Sequence, residues 1–383
     1  MNTTKNLPQE VLINILLRLP VKSLLRFKSV SKLWLSLISN PSFAKSHFQL
    51  SSSLPHRLLH IDESHVSSID FNSSFYDDSA LLHLHSPITP LPSEIWGSSR
   101  GFVLLDGYSN FYVWNPSTAS CKTVPCCPMP PQFAPFIHGF GYDASHDDYL
   151  IVVAGYDPSD ANCASDSQFF SIKANSWKKI NEGETANFPY MNAIDEPREG
   201  WFLNGSIHWL ACRHDTSVEL ILAFDVTERN FHEIRLLQDF YGTLEFCYLG
   251  TLGGCLSFSE MGDDTTTIWL MKEYGMRSSW TKSIVVSLAN IPNNCFYSIG
   301  LTQSGEIVGN DGYRGLVKCN DKGEVVEYRS FDTWFQTVPY TETLLSLPCD
   351  NGGEKIQWSR RRRRTQRSWR HGLSRKEEDG VIF

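Results

Sequence analysis

The sequence predicts an α+β multidomain protein, in which an N-terminal module of three helices precedes an all-β, propeller-like domain of about six blades. Residues 7–50 show the apolar spacing of amphipathic helices. A strand motif that begins with glycine then recurs roughly every 40–50 residues, which is typical of propeller blades. The aromatic content of 13% also favours a β-rich domain, because aromatic side chains are enriched in strands.

The composition excludes several classes of protein. A chain of 383 residues, 41% of them hydrophobic, is expected to fold into more than one domain. No apolar run approaches the roughly 18 residues of a membrane-spanning helix, and the polar N-terminus does not resemble a signal peptide. The ten cysteines form no C-x-x-C motif and no zinc-site spacing with histidine. The cysteine pattern leads us to expect reduced thiols and no bound metal. We also expect no cofactor, and a cytoplasmic and/or nuclear location because a signal peptide is not recognisable.

The net charge of −8 is unevenly distributed along the chain. The segment from Glu354 onward holds ten Lys+Arg against four Asp+Glu, so the remainder carries −14. An acidic body is a poor binder of nucleic acid. The basic tail has three interpretations: disorder, a nuclear localisation signal, or nucleic-acid contact in which Trp358 and Trp369 stack among the arginines. An altered reading frame at the end of the gene would also produce it.

The helical module carries an apolar stripe that must be buried against another surface. Pro8 suits the first turn of the first helix, Pro20 ends that helix, and the third helix is expected to end near Asn40-Pro41. Three helices in about 40 residues bury little of their own apolar surface. The cover is either this chain's own β domain or the apolar helices of another protein.

Individual residues of this module resemble a known motif. They are the Leu7-Pro8 start, the Arg18-Leu19-Pro20 joint and the Val30-Ser31-Lys32-x-Trp34 segment. This pattern closely resembles the F-box, although Ser31 stands where many members carry cysteine. The resemblance implies binding to the Skp-type linker protein of a Skp–cullin–F-box ubiquitin ligase, and through it to cullin and RING subunits. It assigns nine residues to the linker interface: Leu7, Pro8, Ile15, Leu16, Leu19, Pro20, Leu24, Val30 and Trp34.

The larger part of the chain repeats one unit, a strand led by glycine, a turn, and a second strand followed by Asp or Asn. The unit appears at 101–105 with 111–115, 205–210 with 220–225, 254–258 with 267–271, and 305–308 with 316–320, and a related pair lies at 149–154 with 169–172. A bulky residue follows the turn, as at Trp177, Phe231 and Trp280. Dividing residues 55–349 by this period predicts about six blades.

This repeat region resembles the F-box-associated domain of plant F-box proteins, a relative of kelch propellers. The matching stretches include 114–118, 139–143, 204–209, 221–225 and 268–275, although the full Gly-Gly kelch signature is absent. The predicted domains are accordingly the F-box at 1–50, a linker with the first strands at 51–95, the F-box-associated domain at 96–349, and a disordered basic tail at 350–383.

Several motifs with chemical potential lack the context that catalysis requires. Gly139 and Gly141 mimic a dinucleotide fingerprint, but no helical pattern follows them. The remaining candidates sit in turn-like, loop or strand contexts without partners nearby: Asp147-Asp148, Asp263-Asp264, Cys126-Cys127 and the His83/His85 pair. We therefore predict no catalytic, cofactor-binding or metal-binding residue.

Together these patterns predict a non-catalytic substrate-recognition subunit of a ubiquitin ligase. The F-box is expected to bind the Skp-type linker and the β domain to bind a target protein, with no membrane partner. One alternative is an F-box scaffold that assembles a complex without ubiquitylation. A second alternative is an enzyme or a sugar-binding propeller.

Overall fold

The computed structural model places four helices before a series of antiparallel strands. It describes residues 8–50, 57–92, 94–107, 109–129, 134–156, 165–180, 190–191, 198–213, 215–237, 240 and 244–348. The helices are α1 (Gln9–Leu16), α2 (Val21–Phe27), α3 (Lys32–Ile38) and α4 (Pro41–Leu50). The predictions for Leu7 and for the tail at 350–383 concern residues outside this described set.

The prediction of three helices is wrong, because Asn40-Pro41 starts a fourth helix instead of ending the third. The side-chain oxygen of Asn40 accepts a hydrogen bond from the backbone N–H of Ser42 (2.8 Å), as an N-cap does. Pro41 is then the first helical residue, where the missing N–H of proline costs no hydrogen bond. A proline after a helix therefore marks either an end or a new start.

The described part of the β domain contains 25 strands. They are β1 (Arg57–Asp62), β2 (Val66–Asp70), β3 (Leu81–Leu84), β4 (Glu94–Ser99), β5 (Phe102–Asp106), β6 (Asn110–Asn115), β7 (Ser120–Pro125), β8 (Ala134–Asp143), β9 (Asp148–Tyr156), β10 (Ser165–Ser171), β11 (Ser176–Lys179), β12 (Tyr190–Met191), β13 (Arg198–Leu203), β14 (Ser206–Arg213), β15 (Glu219–Asp225), β16 (Asn230–Ile234), β17 (Cys247–Leu252), β18 (Cys255–Met261), β19 (Thr265–Met271), β20 (Trp280–Ser287), β21 (Tyr297–Leu301), β22 (Ile307–Asn310), β23 (Gly315–Cys319), β24 (Val325–Ser330) and β25 (Phe335–Tyr340).

The repeated sequence unit corresponds to the two central strands of each antiparallel meander. The segments at 101–105 and 111–115, for example, form β5 and β6, which pair directly. The bulky residues Trp177, Phe231 and Trp280 lie on the outermost strands β11, β16 and β20. The propeller-like architecture predicted from the repeat is therefore confirmed.

The prediction of about six blades is wrong. Four blades stand alone as four-stranded sheets: β25-β1-β2-β3, β4-β5-β6-β7, β17-β18-β19-β20 and β21-β22-β23-β24. The strands from β8 to β16 form one nine-stranded sheet, because β13 pairs in parallel with β8 along residues 198–200 and with β14 along residues 201–203.

Glycine makes this fusion of two meanders sterically feasible. Gly139 on β8 and Gly200 on β13 are paired neighbours. A Cβ atom on Gly139 would lie 2.5 Å from Cγ2 of Ile207, and one on Gly200 would lie 2.6 Å from Nε1 of Trp209. The absence of both side chains allows the two strands to approach over the buried Ile207 and Trp209.

The ring of sheets is closed by pairing between the two ends of the domain. β25 lies beside β1 in antiparallel register, with Leu59 opposite Val338. The β domain therefore begins at residue 57, within the segment that the sequence assigns to a linker and first strands. Closure of this kind leaves no exposed edge between first and last strands.

The Asp or Asn that follows many strands has a local structural role. Oδ1 of Asn115 accepts backbone N–H groups from residues 117 and 118, and Oδ1 of Asp225 accepts those of residues 227 and 228. Four residues after each of them, Ala119 and Arg229 have φ angles of 58° and 59°. These Asx turns explain why the repeat ends in Asp or Asn without implying any catalytic use.

Candidate functional site: the helical surface and the central channel

The helical module presents two different faces, and α1 shows both. Leu16 is fully buried, whereas its neighbour Ile15 is 47% exposed. Val11, one turn before Ile15, is also exposed, while Leu12 is half-buried against the core. One face of the stripe therefore packs inside the chain and the other faces solvent.

The buried face packs with the β domain in one hydrophobic core. Leu16, Leu24 and Ile38 belong to the same cluster of side chains as Phe102 and Phe140 of the blades. Trp34 packs edge-on against Phe27, with ring centroids 5.2 Å apart. The β domain thus covers part of the stripe, as one of the two sequence interpretations expects.

The nine residues assigned to the linker interface are divided between these environments. Ile15, Val30, Pro8 and Pro20 are exposed, Leu19 and Trp34 are half-buried, and Leu16 and Leu24 have no exposed surface. Leu7 lies outside the described residues. In this structure Leu16 and Leu24 therefore stabilise the chain's own core, because their side chains do not reach the surface.

Beyond the nine residues assigned to the linker interface, the module exposes four further large apolar side chains, of which Leu50, at the end of α4, is 67% exposed. Val11 is 42% exposed, Leu33 51% and Leu35 49%, and Val30 is 60% exposed. We call Val11, Ile15, Val30, Leu33 and Leu35 the exposed apolar set. Their spacing alone gave no signal, because buried and exposed positions of the stripe are equally apolar.

Basic residues accompany the exposed apolar set. Residues 8–50 contain six Lys+Arg and one acidic residue, Glu10. Arg18, Lys22, Arg26 and Lys32 are exposed. The exposed residues of the module therefore include both apolar and positive groups, which suit a partner that offers apolar and acidic groups.

Helix α4 connects the other helices to the β domain. Nε2 of His47 donates a hydrogen bond to the carbonyl oxygen of Leu19 (2.8 Å), near the end of α1. Phe43 stacks on the His47 ring, and both side chains are buried. This fourth helix therefore fixes the preceding helices by a polar contact as well as by packing.

The outer side of α4 contacts two turns of the β domain through a small polar cluster. Nζ of Lys45 lies 2.7 Å from Oδ2 of Asp147, and the Tyr142 hydroxyl donates to Oδ1 of Asp147 (2.6 Å). The Arg100 guanidinium lies over the rings of Phe48 and Tyr142, at 4.9 and 3.9 Å from their centroids. We call these five residues the junction cluster. The hydrogen bonds from Lys45 and Tyr142 lower the pKa of Asp147, and burial raises the pKa of Tyr142.

The second candidate site is a central channel lined by the innermost strands. At the end next to Phe48 of α4 it forms a cavity of about 260 Å³, with Gly97, Gly101 and Gly254 in its wall. At the other end it forms a cavity of about 350 Å³. Glu199 and Trp201 line both cavities. Channels at the axis of propellers are frequent ligand sites, because loops of several blades converge there.

Two of the other motifs singled out from the sequence have structural partners. Asp148 accepts hydrogen bonds from the Ser171 hydroxyl and from the backbone N–H of Lys173. His83 is exposed on β3 and hydrogen-bonds to Ser67. Burial raises the pKa of Cys127 to about 12, so its thiol is protonated at neutral pH.

The described residues hold neither a cluster of metal-ligating side chains nor a membrane-spanning helix. No group of three or more His, Cys, Asp or Glu side chains there is arranged to hold a metal ion. No described helix is both long and apolar enough to cross a membrane.

Comparison with known proteins agrees with this architecture. The F-box domain matches residues 5–46, and the F-box associated beta propeller domain matches residues 57–313. In Arabidopsis thaliana, F-box protein CPR1 is 28% identical over 310 residues, which cover 73% of each chain. F-box protein At5g49610 is 29% identical over 369 residues, covering 90% of this chain and 98% of the relative.

Solved structures show lower similarity. YCF48 bound to D1 peptide covers 63% of this chain and 70% of its own, with 15% identity and a TM-score of 0.34, which is too low to support an inference. The kelch relationship stays a prediction. Because the propeller match spans most of the chain, the protein belongs to the family of F-box proteins that carry an F-box associated β-propeller domain.

Proposed function

We propose that the chain is the substrate-recognition subunit of a Skp–cullin–F-box ubiquitin ligase, in which the helical module binds the Skp-type linker and the β domain binds a target protein. The observation that carries the proposal is the exposed apolar set on a module that matches the F-box domain. An exposed Ile or Val is unfavourable in water, and burial by a partner contributes about 1 kcal/mol for each half-exposed side chain.

The division of the stripe supports this role in a second way. Because Leu16 and Leu24 already pack within the chain, linker binding does not require the β domain to detach. The junction cluster then holds a bound linker in a defined position relative to the channel. A fixed distance between ligase and target is what an adaptor without reactive groups contributes.

The proposal is tested by a double variant of the exposed apolar set. Ile15→Asp with Val30→Asp is expected to weaken capture of the Skp-type linker at least a hundredfold. Each buried carboxylate without a partner costs well above 1.4 kcal/mol, which corresponds to a tenfold change in the dissociation constant. Titration calorimetry with the purified full chain and linker measures the effect.

Val326→Asp is the matched control. Val326 on β24 is 47% exposed, as Ile15 is, but it lies far from the helical module in sequence and belongs to a blade edge. Its linker affinity should equal that of the wild type, and all variants should unfold at similar temperatures. Undiminished linker binding by the double variant would contradict the proposal.

Reconstitution separates the adaptor from a scaffold that acts without ubiquitylation. The full chain, linker, cullin and RING subunits are combined with a captured target, a ubiquitin-activating enzyme and a ubiquitin carrier. Ubiquitin transfer to the target that disappears with the Ile15/Val30 double variant supports the adaptor. An assembled complex without transfer favours the scaffold.

A further inference from the structure

The two ends of the central channel face opposite sides of the propeller. The end next to Phe48 is lined by the β4–β5 and β17–β18 turns, which connect the first and second strands of their blades. The far end is lined by Tyr313 in the β22–β23 turn and by Trp334 before β25. Because successive strands are antiparallel, these two kinds of connection lie at opposite edges of a blade. The far end is therefore directed away from the helical module.

Aromatic side chains dominate the far end of the channel. We call them the aromatic mouth: Trp201, Tyr248, Tyr297, Tyr313, Trp334 and Phe335. The Trp201 and Tyr248 rings meet edge to face with centroids 5.9 Å apart, and Tyr248 meets Tyr297 at 5.3 Å. Tyr313 is 50% exposed and Trp334 48%. Such a group presents ring faces and edges to an incoming side chain while leaving its rim open to solvent.

One carboxyl group lies at the base of this mouth without a counter-charge. Glu199 lines both cavities, and no Lys or Arg is among the residues that line the mouth. Within the described part of the chain, no hydrogen bond or ion pair is formed by its carboxyl group. Burial, and then the nearby charge of Glu94, raise the pKa of Glu199 to about 8. A cation placed beside it would restore the ionised form.

The surrounding domain has the same electrostatic character. Residues 51–353 contain 37 Asp+Glu and 17 Lys+Arg, a net charge of −20. A cavity in a domain of this charge concentrates positive ligands through its long-range field. The charge of the domain and the chemistry of the mouth therefore favour the same kind of ligand.

We propose that the aromatic mouth binds an arginine or lysine side chain from a basic, extended segment of the target protein, with the cation on the rings and against the Glu199 carboxyl. This inference rests on the proposed function, since it names the surface by which the β domain selects its target. Aromatic faces bind cations, and the attraction increases when water is excluded. Tyr313 already makes a contact of this kind with Arg314, which does not line the mouth, since the Arg314 guanidinium lies 4.8 Å from the centroid of the Tyr313 ring.

The test uses the full chain and a fluorescein-labelled nonapeptide of glycine and serine that carries two arginines. Fluorescence anisotropy at 0.15 M salt is compared with a peptide in which citrulline, uncharged and of the same shape, replaces arginine. We expect the arginine peptide to bind at least tenfold more tightly. Glu199→Gln and Trp334→Ala should each weaken its binding at least tenfold.

Glu228→Gln is the matched control for net charge. Glu228 is an exposed carboxylate in the β15–β16 turn of the same acidic domain, and it does not line the channel. Its binding should be unchanged. If Glu228→Gln weakens binding as much as Glu199→Gln, or if the citrulline peptide binds equally well, the inference is overturned.

Two further measurements separate this inference from its alternatives. Linker capture is measured on every variant. Loss of peptide binding with normal linker capture shows that only the aromatic mouth is affected. Failure of the proposed function would appear instead as undiminished linker capture by the Ile15/Val30 double variant. Peptide binding that appears only when residues 360–364 are replaced by alanine would show that the chain's own tail fills the mouth. That result would overturn the assignment to a target protein.

Discussion

The helical module and the blades handle apolar side chains in opposite ways. In β15, the consecutive residues Ile221, Leu222, Ala223 and Phe224 have no exposed surface, because both faces of a blade are covered by neighbouring sheets. In α1, Ile15 is half exposed while the next residue, Leu16, is fully buried. The helices are covered on one side only.

This difference separates the apolar residues that stabilise the fold from those that are available to bind a partner. An apolar residue in a blade that is covered on both faces contributes to folding, because no partner can reach it. An exposed apolar residue on a helix remains available to a partner. The boundary runs through single helices and even between neighbouring residues. Substitutions that differ by one position are therefore the most direct way to examine it.

The largest expected effect comes from the blade core. Phe224→Ala removes a fully buried ring that packs on Phe231 with centroids 5.0 Å apart, and it should lower the free energy of unfolding by about 3–5 kcal/mol. Val30→Ala, at a position that is 60% exposed, should change it by less than about 0.5 kcal/mol. Urea unfolding of both variants measures the contrast. Similar effects at the two positions would mean that the helices are not open to solvent on one side.

The second prediction compares neighbouring residues of α1. Leu16→Ala should lower the free energy of unfolding by about 2–5 kcal/mol, because it leaves a cavity in the core shared with the β domain. Ile15→Ala should affect stability by less than about 1 kcal/mol and instead weaken linker binding. Thermal unfolding and calorimetric titration are measured on the same preparations. The reverse pattern would exchange the roles assigned to the two faces.

Much of the fold could be predicted from local patterns. Glycine before a strand and Asp225 after one mark the ends of strands through turn geometry, which depends on only a few residues. The fused nine-stranded sheet could not be predicted in this way, because it depends on Gly139 and Gly200, which are far apart in sequence. The fourth helix was missed because proline favours a helix start as well as a helix end.

The candidate sites show the same limit. The F-box pattern identified the module that carries Ile15 and Val30, but periodicity did not separate them from Leu16 and Leu24, since the stripe is apolar on both faces. The aromatic mouth gave no signal in the sequence. Its residues Trp201, Tyr313 and Trp334 come from separate strands and turns and meet only in the closed propeller.

The third prediction concerns pH and the half-buried carboxyl of Glu199 in the channel. The pKa of Glu199 is raised from 4.5 to about 8 in the folded chain, so the folded state holds a proton that the unfolded state has lost. The contribution of Glu199 to stability therefore falls as pH rises between these values, by about 2 kcal/mol from pH 6 to pH 8. Glu94 on β4 acts on its charge, and His138 is its paired neighbour on β8. The other charged or titratable residues that line the two cavities with Glu199 are Arg100, Cys247, Tyr248, Tyr297, Tyr313 and Tyr340.

Glu199→Gln removes this dependence, since the amide does not titrate. The free energy of unfolding of the variant, relative to the wild type, should increase by that amount between pH 6 and pH 8. His138 should not interfere, because burial lowers its pKa to about 3 and keeps it neutral throughout. If the difference in the free energy of unfolding between the variant and the wild type stays constant with pH, Glu199 is solvated. The channel would then not hold a carboxyl group that needs a counter-charge.

The smallest expected effect is at the junction between the two regions. Lys45 and Asp147 are each about half exposed, at 53% and 47%, so their ion pair contributes less than about 1 kcal/mol. Lys45→Met should remove that amount at pH 7, whereas Lys22→Met, at an exposed lysine of α2, should not. Because the pKa of Asp147 is lowered, the contribution is present above its ordinary value of 3.8 and disappears as pH falls further. Urea unfolding at pH 7 and pH 2.5, and at two salt concentrations, measures this contribution. If the effect of Lys45→Met persists in acid or in 1 M salt, the charge of Lys45 is not its cause. The methylene stem of Lys45 would then stabilise the chain by packing on α4.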